Sequence, residues 1–591
     1  MNFEKFMELM SEAGFYYPSF EIYRSKSEVG GFYDYGPLGV ELKRNIIEKW
    51  RRIFVYPYQD FIIEVETPVI MPRIVFEASG HLEHFTDAIV ECTKCSRKYR
   101  ADHLIEEELG KRGISIKTEG LSFEELDQLI RKYDIKCPAC GGELGNVRPF
   151  NLLFQTTIGP YSENVGYLRP ETAQGMFVSF PRVFNIMGRK LPLGVAQIGK
   201  VSRNEISPRQ GLIRLREFTQ MEIEFFFDPE NVRCPYLDEL DVKLRIIPEK
   251  DVEAGVKEPK EFRPREAVEL GVVPNEWMAF FMGLATIYMN ELGISLDHQY
   301  FLAKLPQERA HYAAASFDQM VYSERFGWVE VSGHAYRTDY DLGRHMKFSG
   351  YDLTVERKLS VPKEVVEVRI YPNPQRIREV FGNEMTRVMK AIGNVDPKWL
   401  ISELGRGSVV VDGYTITKDM VFIKEERRRV YTERFVPHDI EPSFGVDRIV
   451  YVTLEHAYVE ANGKSLLRLP PDIAPIKVAI LPIIKKESYV TIGRKLFREI
   501  SMAGIRAVYD DDGSIGSRYA RYDSLGVPYA ITVDEKTPIE NTVTIRDRDT
   551  KAQVRVGINE VVKLIQDASE RRLTVNDLAK ELGLELIVRQ G

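Results

Sequence analysis

The sequence is poor in the residues that build disulfide scaffolds and histidine-rich metal centres. Its 591 residues include five cysteines and nine histidines, and this is too little cysteine for a fold held together by disulfide bonds. The histidines show no spacing typical of metal ligands, and we expect Cys234 to be a buried, unreactive thiol. The other four cysteines form two CxxC pairs, which are therefore the candidate metal site.

Long apolar runs are also missing. No stretch of about 18 residues is both apolar and free of charge, which is the length that a membrane-spanning helix requires. Residues 1–18 lack the basic start, the apolar core and the cleavage site of a secretory signal. We therefore expect no membrane partner and a cytoplasmic location.

The composition excludes disorder but not a nucleic-acid partner. Hydrophobic residues make up 44% of the chain and charged residues 29%, as in ordinary globular proteins. The net charge of -7 affects solubility, whereas nucleic-acid binding depends on local basic patches. The length predicts two to four domains of roughly 100–200 residues each.

Hydrophobic periodicity predicts an α+β fold before residue 470. Apolar residues at helical spacing predict a long helix over 39–55, followed by a strand over 61–65. Clusters of β-branched and aromatic residues between turn-forming residues predict a large antiparallel sheet with strands at 193–200, 211–218, 221–227 and 327–331.

The pattern changes after residue 473. Short apolar strands now alternate with amphipathic helices, which is typical of an α/β domain with a partly parallel sheet. The predicted strands are 477–481, 506–509, 529–533 and 543–545. We predict a separate α/β domain over 474–591.

The two CxxC pairs have the spacing of a structural zinc site. Forty-one residues separate the pairs, and two such turns can close one tetrahedral thiolate site. The alternative is two reduced pairs without a metal. The predicted zinc ligands are Cys92, Cys95, Cys137 and Cys140.

Arginine and glutamate are dense between residues 203 and 218. Side chains alternate between the faces of a strand, so a strand here would turn Arg203 and Glu205 to one side, and likewise Arg214 and Arg216. The SPRQG segment carries proline and glycine where a hairpin turns, which predicts an antiparallel arm with a polar, ligand-binding face. An isolated Arg-x-Glu would more often be a structural ion pair.

One apparent nucleotide-binding motif fails on inspection. GVAQIGK has the spacing of a phosphate-binding loop, but Val201 follows the lysine where Ser or Thr must bind Mg²⁺. We therefore assign it no function.

Three segments resemble the signature motifs of class II aminoacyl-tRNA synthetases, in the form found in glycyl-tRNA synthetases. They are GGFYDYGPLGVELKRNIIEKW, RNEISPRQGLIRLREF and EPSFGVDRIVY, and the segments YRADHL and TVTIRDRDTKAQVRV extend the resemblance over most of the chain. The resemblance implies an α+β catalytic domain with an antiparallel sheet of six to seven strands. It also implies an α/β anticodon-binding domain, inserted modules and a homodimer formed through the first motif.

The expected domains follow from this resemblance. The catalytic domain would comprise 1–90, 148–240 and 320–470, and the anticodon-binding domain 474–591. The expected insertions are a zinc-binding module at 91–147 and two further segments at 241–319 and 346–435.

The implied reaction joins glycine to tRNA(Gly) at the expense of ATP. Glycine would attack the α-phosphate of ATP with Mg²⁺ present, pyrophosphate would leave, and the 3′-terminal ribose hydroxyl of the tRNA would take the glycyl group. No covalent enzyme intermediate and no obligatory protein base are expected.

By the resemblance, Arg203 would hold the α-phosphate, Glu205 the adenine amino group, Phe218 the adenine face and Arg448 the γ-phosphate. Arg203, Glu205 and Arg448 would be the catalytic residues, and a forked guanidinium suits phosphate oxygens. Glu330 and Glu441 are the expected Mg²⁺ ligands. The full ATP-binding set would be Arg203, Asn204, Glu205, Ile213, Arg214, Leu215, Arg216, Glu217, Phe218, Glu330, Val331, Gly445 and Arg448.

Glycine has no side chain to bind, so its site must hold the ammonium and the carboxylate and leave no room beyond the α-carbon. A pocket that rejects larger amino acids needs no editing domain. The glycine-binding residues implied by the resemblance are Arg100, Glu171, Phe218, Gln220, Glu222, Glu441 and Ser443.

The segment after residue 510 resembles the anticodon-binding domain of class IIa synthetases. Aromatic side chains beside arginines suit unpaired bases, although a solvated helix face is the alternative. The candidate contacts are Arg518, Tyr519, Arg521 and Tyr522.

Two other functions must be weighed. A non-catalytic synthetase-like protein would lack the ATP-binding arginines, which are present here, and a synthetase for proline or threonine would not carry RPETAQG, SPRQG and EPSFG. One departure is Asp447, which stands before Arg448 where some relatives have a small residue. We expect it to have no effect on activity.

Overall fold

A computed structural model describes the chain except for residues 24, 26–28, 119, 162, 207, 209, 462, 463 and 588–591. It divides into two compact units, one made of residues 1–353 and 437–591 and the other of Thr354–Val436. Among the described residues, no helix has the length and apolar character needed to cross a membrane.

The first part of the chain alternates short strands and helices. These elements are α1 (Phe3–Glu12), β1 (Tyr16–Pro18), β2 (Tyr33–Tyr35), α2 (Pro37–Phe54), β3 (Ile62–Val65), β4 (Ile70–Pro72), α3 (Arg73–Ala78), α4 (His81–His84), β5 (Thr86–Glu91), β6 (Lys98–Arg100), α5 (Ala101–Lys111), α6 (Phe123–Lys132), β7 (Arg148–Asn151), β8 (Phe154–Thr157), β9 (Val165–Leu168) and α7 (Ala173–Ile186).

Longer strands follow. They and their helices are β10 (Leu193–Ser202), β11 (Glu217–Phe227), β12 (Leu244–Ile247), α8 (Glu249–Glu253), β13 (Lys260–Phe262), α9 (Pro264–Glu269), α10 (Glu276–Glu291), β14 (Gln299–Ala303), β15 (Ala315–Ser323), β16 (Gly327–Thr338) and α11 (Tyr340–Ser349).

The second compact unit has its own small core. A long two-stranded ribbon pairs β17 with β20, a hairpin pairs β18 with β19, and three helices pack their apolar faces together. Its elements are β17 (Val355–Pro372), α12 (Pro374–Phe381), α13 (Met385–Gly393), α14 (Pro397–Leu404), β18 (Ser408–Val411), β19 (Tyr414–Thr417) and β20 (Val421–Phe435). The predicted insertion 346–435 overlaps this unit, but its first residues belong to α11.

The last part of the chain returns to the first unit and ends in an α/β layer. Its elements are β21 (His438–Gly445), α15 (Val446–Ala457), β22 (Tyr458–Ala461), β23 (Lys464–Leu467), β24 (Val478–Pro482), α16 (Glu487–Met502), β25 (Ala507–Tyr509), α17 (Ile515–Ser524), β26 (Tyr529–Val533), α18 (Thr537–Glu540), β27 (Thr542–Asp547), β28 (Gln553–Gly557), α19 (Val561–Arg571) and α20 (Val575–Leu582).

A nine-stranded sheet forms the centre of the first unit, in the order β13-β12-β14-β15-β16-β21-β11-β10-β3. The six strands from β14 to β10 are antiparallel. At the two flanks, β12 pairs with β14 and β3 pairs with β10 in parallel. The predicted large antiparallel sheet is therefore confirmed as a six-stranded core within a wider mixed sheet.

Helix α2, predicted over 39–55, packs its apolar stripe on one face of this sheet. It begins at Pro37, whose fixed φ suits the first turn of a helix, and buries Leu42, Ile46, Trp50 and Phe54. A Cβ on Gly39 would lie 1.7 Å from the carbonyl oxygen of Phe15, so only glycine permits this approach.

The C-terminal sheet has the order β25-β24-β26-β27-β28. Strands β25, β24 and β26 are parallel, and β27 and β28 continue the sheet antiparallel. This confirms the predicted α/β pattern after residue 473, and the domain has a core of its own.

Two predictions about elements differ from the structure. The predicted strand 211–218 is a 3₁₀ turn at Gly211–Ile213 followed by the start of β11 at Glu217. The segment 241–319 is not a separate insertion, because it supplies β12 to β14 and part of β15 to the central sheet and the buried helix α10 to its core. Its mixed composition reflects loops between these elements.

Candidate active site

A cavity of about 250 Å³ opens on the polar face of the central sheet. This volume lies just below the usual range for small-molecule sites, about 300–1,000 Å³. The predicted site residues that line it are Glu171, Arg203, Glu205, Ile213, Arg214, Leu215, Phe218, Gln220, Glu330, Val331, Glu441, Ser443, Gly445 and Arg448. The residues predicted from different sequence motifs therefore lie around one cavity.

Strand alternation explains why this face is polar. Successive side chains of β11 point to opposite faces, so Gln220, Glu222 and Glu224 share the cavity side while Met221 and Ile223 join the apolar core. Register places Ser443 of β21 opposite Glu222. The sheet therefore presents a row of buried carboxylates beneath the cavity.

The loop between β10 and β11 forms one wall. We predicted that alternation on two strands would orient its arginines, but residues 203–216 leave the β-ladder because their backbone bonds other segments. Asn204 donates to the carbonyl of Leu152 at 2.7 Å, and Arg216 donates to the carbonyl of Gly31 at 2.9 Å. The predicted SPRQG turn includes Ser207 and Arg209, which lie outside the described residues.

Hydrogen bonds fix the side chains of this loop instead. Arg214 Nε donates to Glu205 Oε2 at 2.8 Å, and Arg203 Nε donates to the carbonyl of Pro170 at 3.1 Å. The Arg203 guanidinium also lies 5.3 Å from the centroid of the Phe218 ring. A cationic group and an aromatic face thus lie together at one end of the cavity.

Arg448 enters the cavity from the first turn of α15. Its Nε donates to the carbonyl of Ile213 at 2.9 Å, and its Nη1 lies 3.2 Å from the carboxylate of Glu330. Burial opposes ionisation of Glu330, but the positive charge of Arg448 lowers the Glu330 pKa below its usual value. Glu330 is therefore an ionised carboxylate at the cavity.

Asp447, in the third motif segment, is buried where it meets the first motif segment and strand β11. Its carboxylate accepts from Tyr35 Oη at 2.6 Å, from Lys43 Nζ at 2.9 Å and from the backbone N–H of Thr219 at 2.6 Å. Burial acts against the charge, but these partners lower the Asp447 pKa. The residue beside Arg448 thus ties α15 to α2 and to β11.

At the other end of the cavity, polar groups surround the predicted glycine site. Gln220 Nε2 donates to Ser443 Oγ at 2.6 Å and to Glu222 Oε1 at 2.8 Å. Thr172 Oγ1 donates to the second oxygen of Glu222 at 2.5 Å. Glu222 therefore supports the lining residues from behind and does not itself line the cavity.

Arg337 is the cation at this end, and the motifs did not indicate it. It is fully buried, donates twice to Asp341 at 2.8 and 3.0 Å, and donates to Glu441 Oε2 at 2.7 Å. A lone arginine within strand β16, four residues before an aspartate, is the signal that would have found it.

The carboxylates beside Arg337 have shifted pKa values. Burial favours protonation of Glu171, but the nearby His81 and Arg337 hold the Glu171 pKa far below its usual range. Burial raises the pKa values of Glu222 and Glu441. Glu171 therefore keeps its charge and can accept an incoming ammonium group, whereas burial favours the protonated forms of Glu222 and Glu441.

Besides Glu222, four predicted residues do not line the cavity. Arg100 pairs with Asp87 at 3.1 Å and with Asp102 at 2.9 Å, and its substrate-facing role stays a prediction. Glu217 pairs with Lys200 at 3.0 Å on the exposed strand end. The other two, Asn204 and Arg216, donate hydrogen bonds to main-chain carbonyls at the loop.

The four predicted zinc ligands come together. Their Sγ atoms all lie within 4.8 Å of one another, and tetrahedral Zn–S bonds of about 2.3 Å would place the sulfurs about 3.8 Å apart. Two matching turns present them, with Ser96 N–H donating to the Cys92 carbonyl and Gly141 N–H to the Cys137 carbonyl. The donor set fits a closed structural zinc site.

Three of the four predicted anticodon contacts are structural. On α17, Arg518 is buried and donates to the carbonyls of Pro482 and Asp510, and Tyr519 and Tyr522 are also buried. The rings of Tyr519 and Tyr522 are not free to stack on bases, because they belong to the core beneath the helix. Only Arg521 of this set keeps an exposed guanidinium.

Comparisons with known proteins agree with the geometry. The family model "tRNA synthetase class II core domain (G, H, P, S and T)" matches residues 160–242, and "Anticodon binding domain" matches 477–568. The chain is 48% identical to the glycine–tRNA ligase of Aeropyrum pernix over 95% of each chain. It is 47% identical to that of Pyrococcus abyssi, covering 96% of this chain and 98% of the relative.

A solved structure of Cryptosporidium parvum prolyl-tRNA synthetase, in complex with L-proline and AMP, also aligns with the chain. Its TM-score is 0.48 at 13% identity, covering 96% of this chain and 75% of that one.

Proposed function

The chain belongs to the glycine–tRNA ligases, and from this membership we propose which residues carry each step of its reaction. It is an ATP-dependent ligase that activates glycine and transfers it to tRNA. The observation that carries the assignment is the 48% identity over 95% of both chains.

Nucleotide binding is proposed for the end of the cavity that carries Arg203 and Arg448. Forked guanidinium groups bind phosphate oxygens with two parallel hydrogen bonds, and Phe218 offers a flat face to the adenine. Glu205 would accept the adenine amino group. The support is that all four side chains line one cavity.

Glycine is proposed to bind at the opposite end, where Glu171 and Glu441 would accept hydrogen bonds from its ammonium. Ser443 and Gln220 complete this wall, and Arg337 keeps the neighbouring carboxylates in place. The buried, ionised carboxylate of Glu171 favours a cationic group strongly, because few water molecules compete.

The chemical step then needs positioning more than acid–base catalysis. A carboxylate oxygen of glycine forms a bond to the α-phosphorus while the bond between that phosphorus and the bridging oxygen of pyrophosphate breaks. Arg203 and Arg448 would stabilise the charge that develops on the phosphates. In the second step, the 3′-hydroxyl of tRNA(Gly) attacks the glycyl carbonyl and AMP leaves.

The reaction class uses Mg²⁺ with ATP. Glu330 fits this ion because its carboxylate is ionised and reaches the cavity beside Arg448. Glu441 fits it less well, because Arg337 already occupies one of its oxygens. Bound Mg²⁺ would neutralise part of the phosphate charge, and Arg203 and Arg448 would bind the phosphate oxygens.

Structural zinc and a homodimer complete the proposal. The four thiols support zinc binding in the 91–147 module, and the resemblance of α2 to the first motif supports a dimer. Because its tRNA substrate is used where proteins are made, we place the enzyme in the cytoplasm.

Amino-acid-dependent exchange of pyrophosphate into ATP tests this function. Each of the twenty amino acids is tested with the unaltered enzyme, and Arg203→Ala is the loss-of-function control. Exchange with glycine alone is expected. Exchange with proline or threonine would reassign the substrate, and no exchange with any amino acid would indicate a non-catalytic relative.

A further inference from the structure

Tyr312 lines the glycine end of the cavity, yet no motif pointed to it. It belongs to the segment 304–314, which joins β14 to β15 and contains no regular element between them. Its side chain bounds the same cavity as Glu171, Glu441 and Ser443. The segment therefore brings a large aromatic ring to the place where the amino acid is proposed to bind.

The ring is held by a cation–π contact with Arg337. The guanidinium carbon of Arg337 lies 3.6 Å from the ring centroid. Arg337 is itself fixed, because it is fully buried and paired with Asp341 and Glu441. Moving the ring would uncover a buried guanidinium, so the ring forms a rigid wall.

The segment around Tyr312 is anchored as well. His311 Nε2 lies 3.2 Å from the carbonyl oxygen of Ser79, and the N–H of Ala314 donates to the carbonyl of Tyr336 at 2.8 Å. Arg309 spans the segment, with Nη1 donating to Ala314 O at 2.6 Å and Nε donating to Lys304 O at 3.1 Å. These bonds fix both sides of Tyr312.

We propose that Tyr312 is the residue that restricts the pocket to glycine, by occupying the space into which the β-carbon of a larger amino acid would extend. The inference rests on the proposed glycine pocket. An ammonium held by Glu171 and Glu441 leaves the α-carbon beside the ring, where hydrogen fits and a methyl group does not. A wall that cannot move excludes alanine more strongly than a flexible side chain would.

Truncating the ring should therefore create activity with the next larger amino acids. Tyr312→Ala is expected to activate alanine and serine, and the ratio of kcat/KM for glycine to that for alanine should fall at least about tenfold, which is the lower range for one methyl group in a pocket. The KM for ATP should stay within about twofold, because Tyr312 lies at the other end. Tyr312→Phe keeps the wall and should keep rejecting alanine.

The measurement is pyrophosphate exchange with glycine, alanine and serine. Tyr322→Ala is the matched control, because this tyrosine lies on β15 and does not line the cavity. New exchange with alanine in Tyr312→Ala but not in the control supports the proposal. Weakened glycine exchange without any alanine exchange, in a variant with unchanged thermal unfolding, overturns it and leaves Tyr312 a merely structural residue.

Two further outcomes remain informative. If Tyr312→Ala does not fold, Tyr312→Leu carries the test, and absence of alanine exchange in that variant overturns the proposal. If the unaltered enzyme shows no exchange with glycine, the proposed function fails, which is a result distinct from failure of the wall.

Discussion

Arg337 shows how one buried residue organises the glycine end of the site. It pairs with Asp341 and Glu441 and supports the Tyr312 ring, and it has no exposed surface. Removing one partner of a buried ionic cluster leaves the other charges unpaired. The resulting loss of folding stability is larger than the stability that the intact cluster contributes.

We predict that Arg337→Met lowers the free energy of unfolding by about 3–5 kcal/mol and abolishes glycine activation. Arg337→Lys should recover only part of the stability, because an ammonium cannot make the paired hydrogen bonds of a guanidinium. Thermal and denaturant unfolding measure both variants. Equal stability of Arg337→Met and the unaltered chain would contradict the assigned role.

Asp439 makes stability depend on pH. Its carboxyl group is buried beside the buried carboxyl group of Glu224, and the two groups interact directly. Burial raises the Asp439 pKa to about 8. The folded chain therefore binds a proton that the unfolded chain releases near pH 4, so the contribution of this carboxyl to stability falls as the pH rises from about 4 to about 8.

Asp439→Asn should remove that pH dependence. The free energy of unfolding of the unaltered chain should change between pH 5.5 and 7.5. In Asp439→Asn this change should be smaller by up to about 1.4 kcal/mol for each pH unit, which is the free energy of a pKa difference of one unit. Unfolding midpoints of the two proteins at both pH values measure it. An unchanged pH profile would mean that Asp439 does not hold a proton in the folded state.

At the scale of elements, the sequence predicted regular structure well and loop geometry poorly. Helix α2 and strand β26 follow from periodicity, because burial selects apolar residues at regular intervals. The 203–216 loop looked like two strands because its apolar and charged residues alternate. Its backbone instead bonds Leu152 and Gly31, partners that local sequence cannot specify.

The zinc module should depend on its metal. We predict one zinc per chain by elemental analysis, and Cys137→Ser or chelation should increase proteolytic cleavage within residues 91–147. The reason is that the sulfurs join two turns whose module has only a small core of its own. Glycine-dependent exchange measures whether the active site survives. Full resistance to cleavage after complete zinc removal would contradict a structural role.

Helix α17 separates a buried face from an exposed one. Arg521 keeps an exposed guanidinium that also pairs with Asp510 at 2.6 Å, so Arg521→Ala should weaken tRNA binding with only a small change in the thermal unfolding temperature. Arg518→Met should instead destabilise the domain, because Arg518 satisfies two buried carbonyls. Filter binding of tRNA and thermal unfolding distinguish the two. Equal tRNA affinity of Arg521→Ala and the unaltered chain would remove Arg521 as a contact.

At the scale of the whole molecule, Asp472 links the C-terminal domain to the catalytic sheet. Its carboxylate accepts from Arg572 Nε at 2.8 Å and pairs with Lys49 of α2, while Arg572 also donates to the carbonyl of Glu291 at 2.6 Å. Residues from three distant parts of the chain meet at this carboxylate. The link joins the part that resembles an anticodon-binding domain to the part that activates glycine.

Asp472→Asn should separate the two halves of the reaction. Pyrophosphate exchange needs only the catalytic end and should stay within about twofold, whereas kcat/KM for tRNA charging should fall at least about tenfold, since a charged hydrogen bond contributes about 1.5–3 kcal/mol. Lys495→Met, which changes an exposed side chain of α16, is the control. A parallel loss of both activities would instead indicate general destabilisation.

The sequence predicted most residues that line the cavity but not Arg337 and Tyr312 at its glycine end. Motif residues such as Arg203, Glu171 and Arg448 line the cavity because the motifs themselves encode chemistry. Arg337 and Tyr312 were missed, since their roles arise only when β16 and the 304–314 segment meet in space. Arg518 was misassigned because sequence does not show which helix face is buried.

The most direct test of the account compares two variants at opposite ends of the cavity in glycine-dependent pyrophosphate exchange. Glu171→Gln should raise the KM for glycine at least about 30-fold, the loss of a buried charged hydrogen bond, and leave the KM for ATP unchanged. Arg448→Lys should raise the KM for ATP and leave the KM for glycine unchanged. If Glu171→Gln left the KM for glycine unchanged, or raised both values equally, the division of the cavity into a glycine end and a nucleotide end would be wrong.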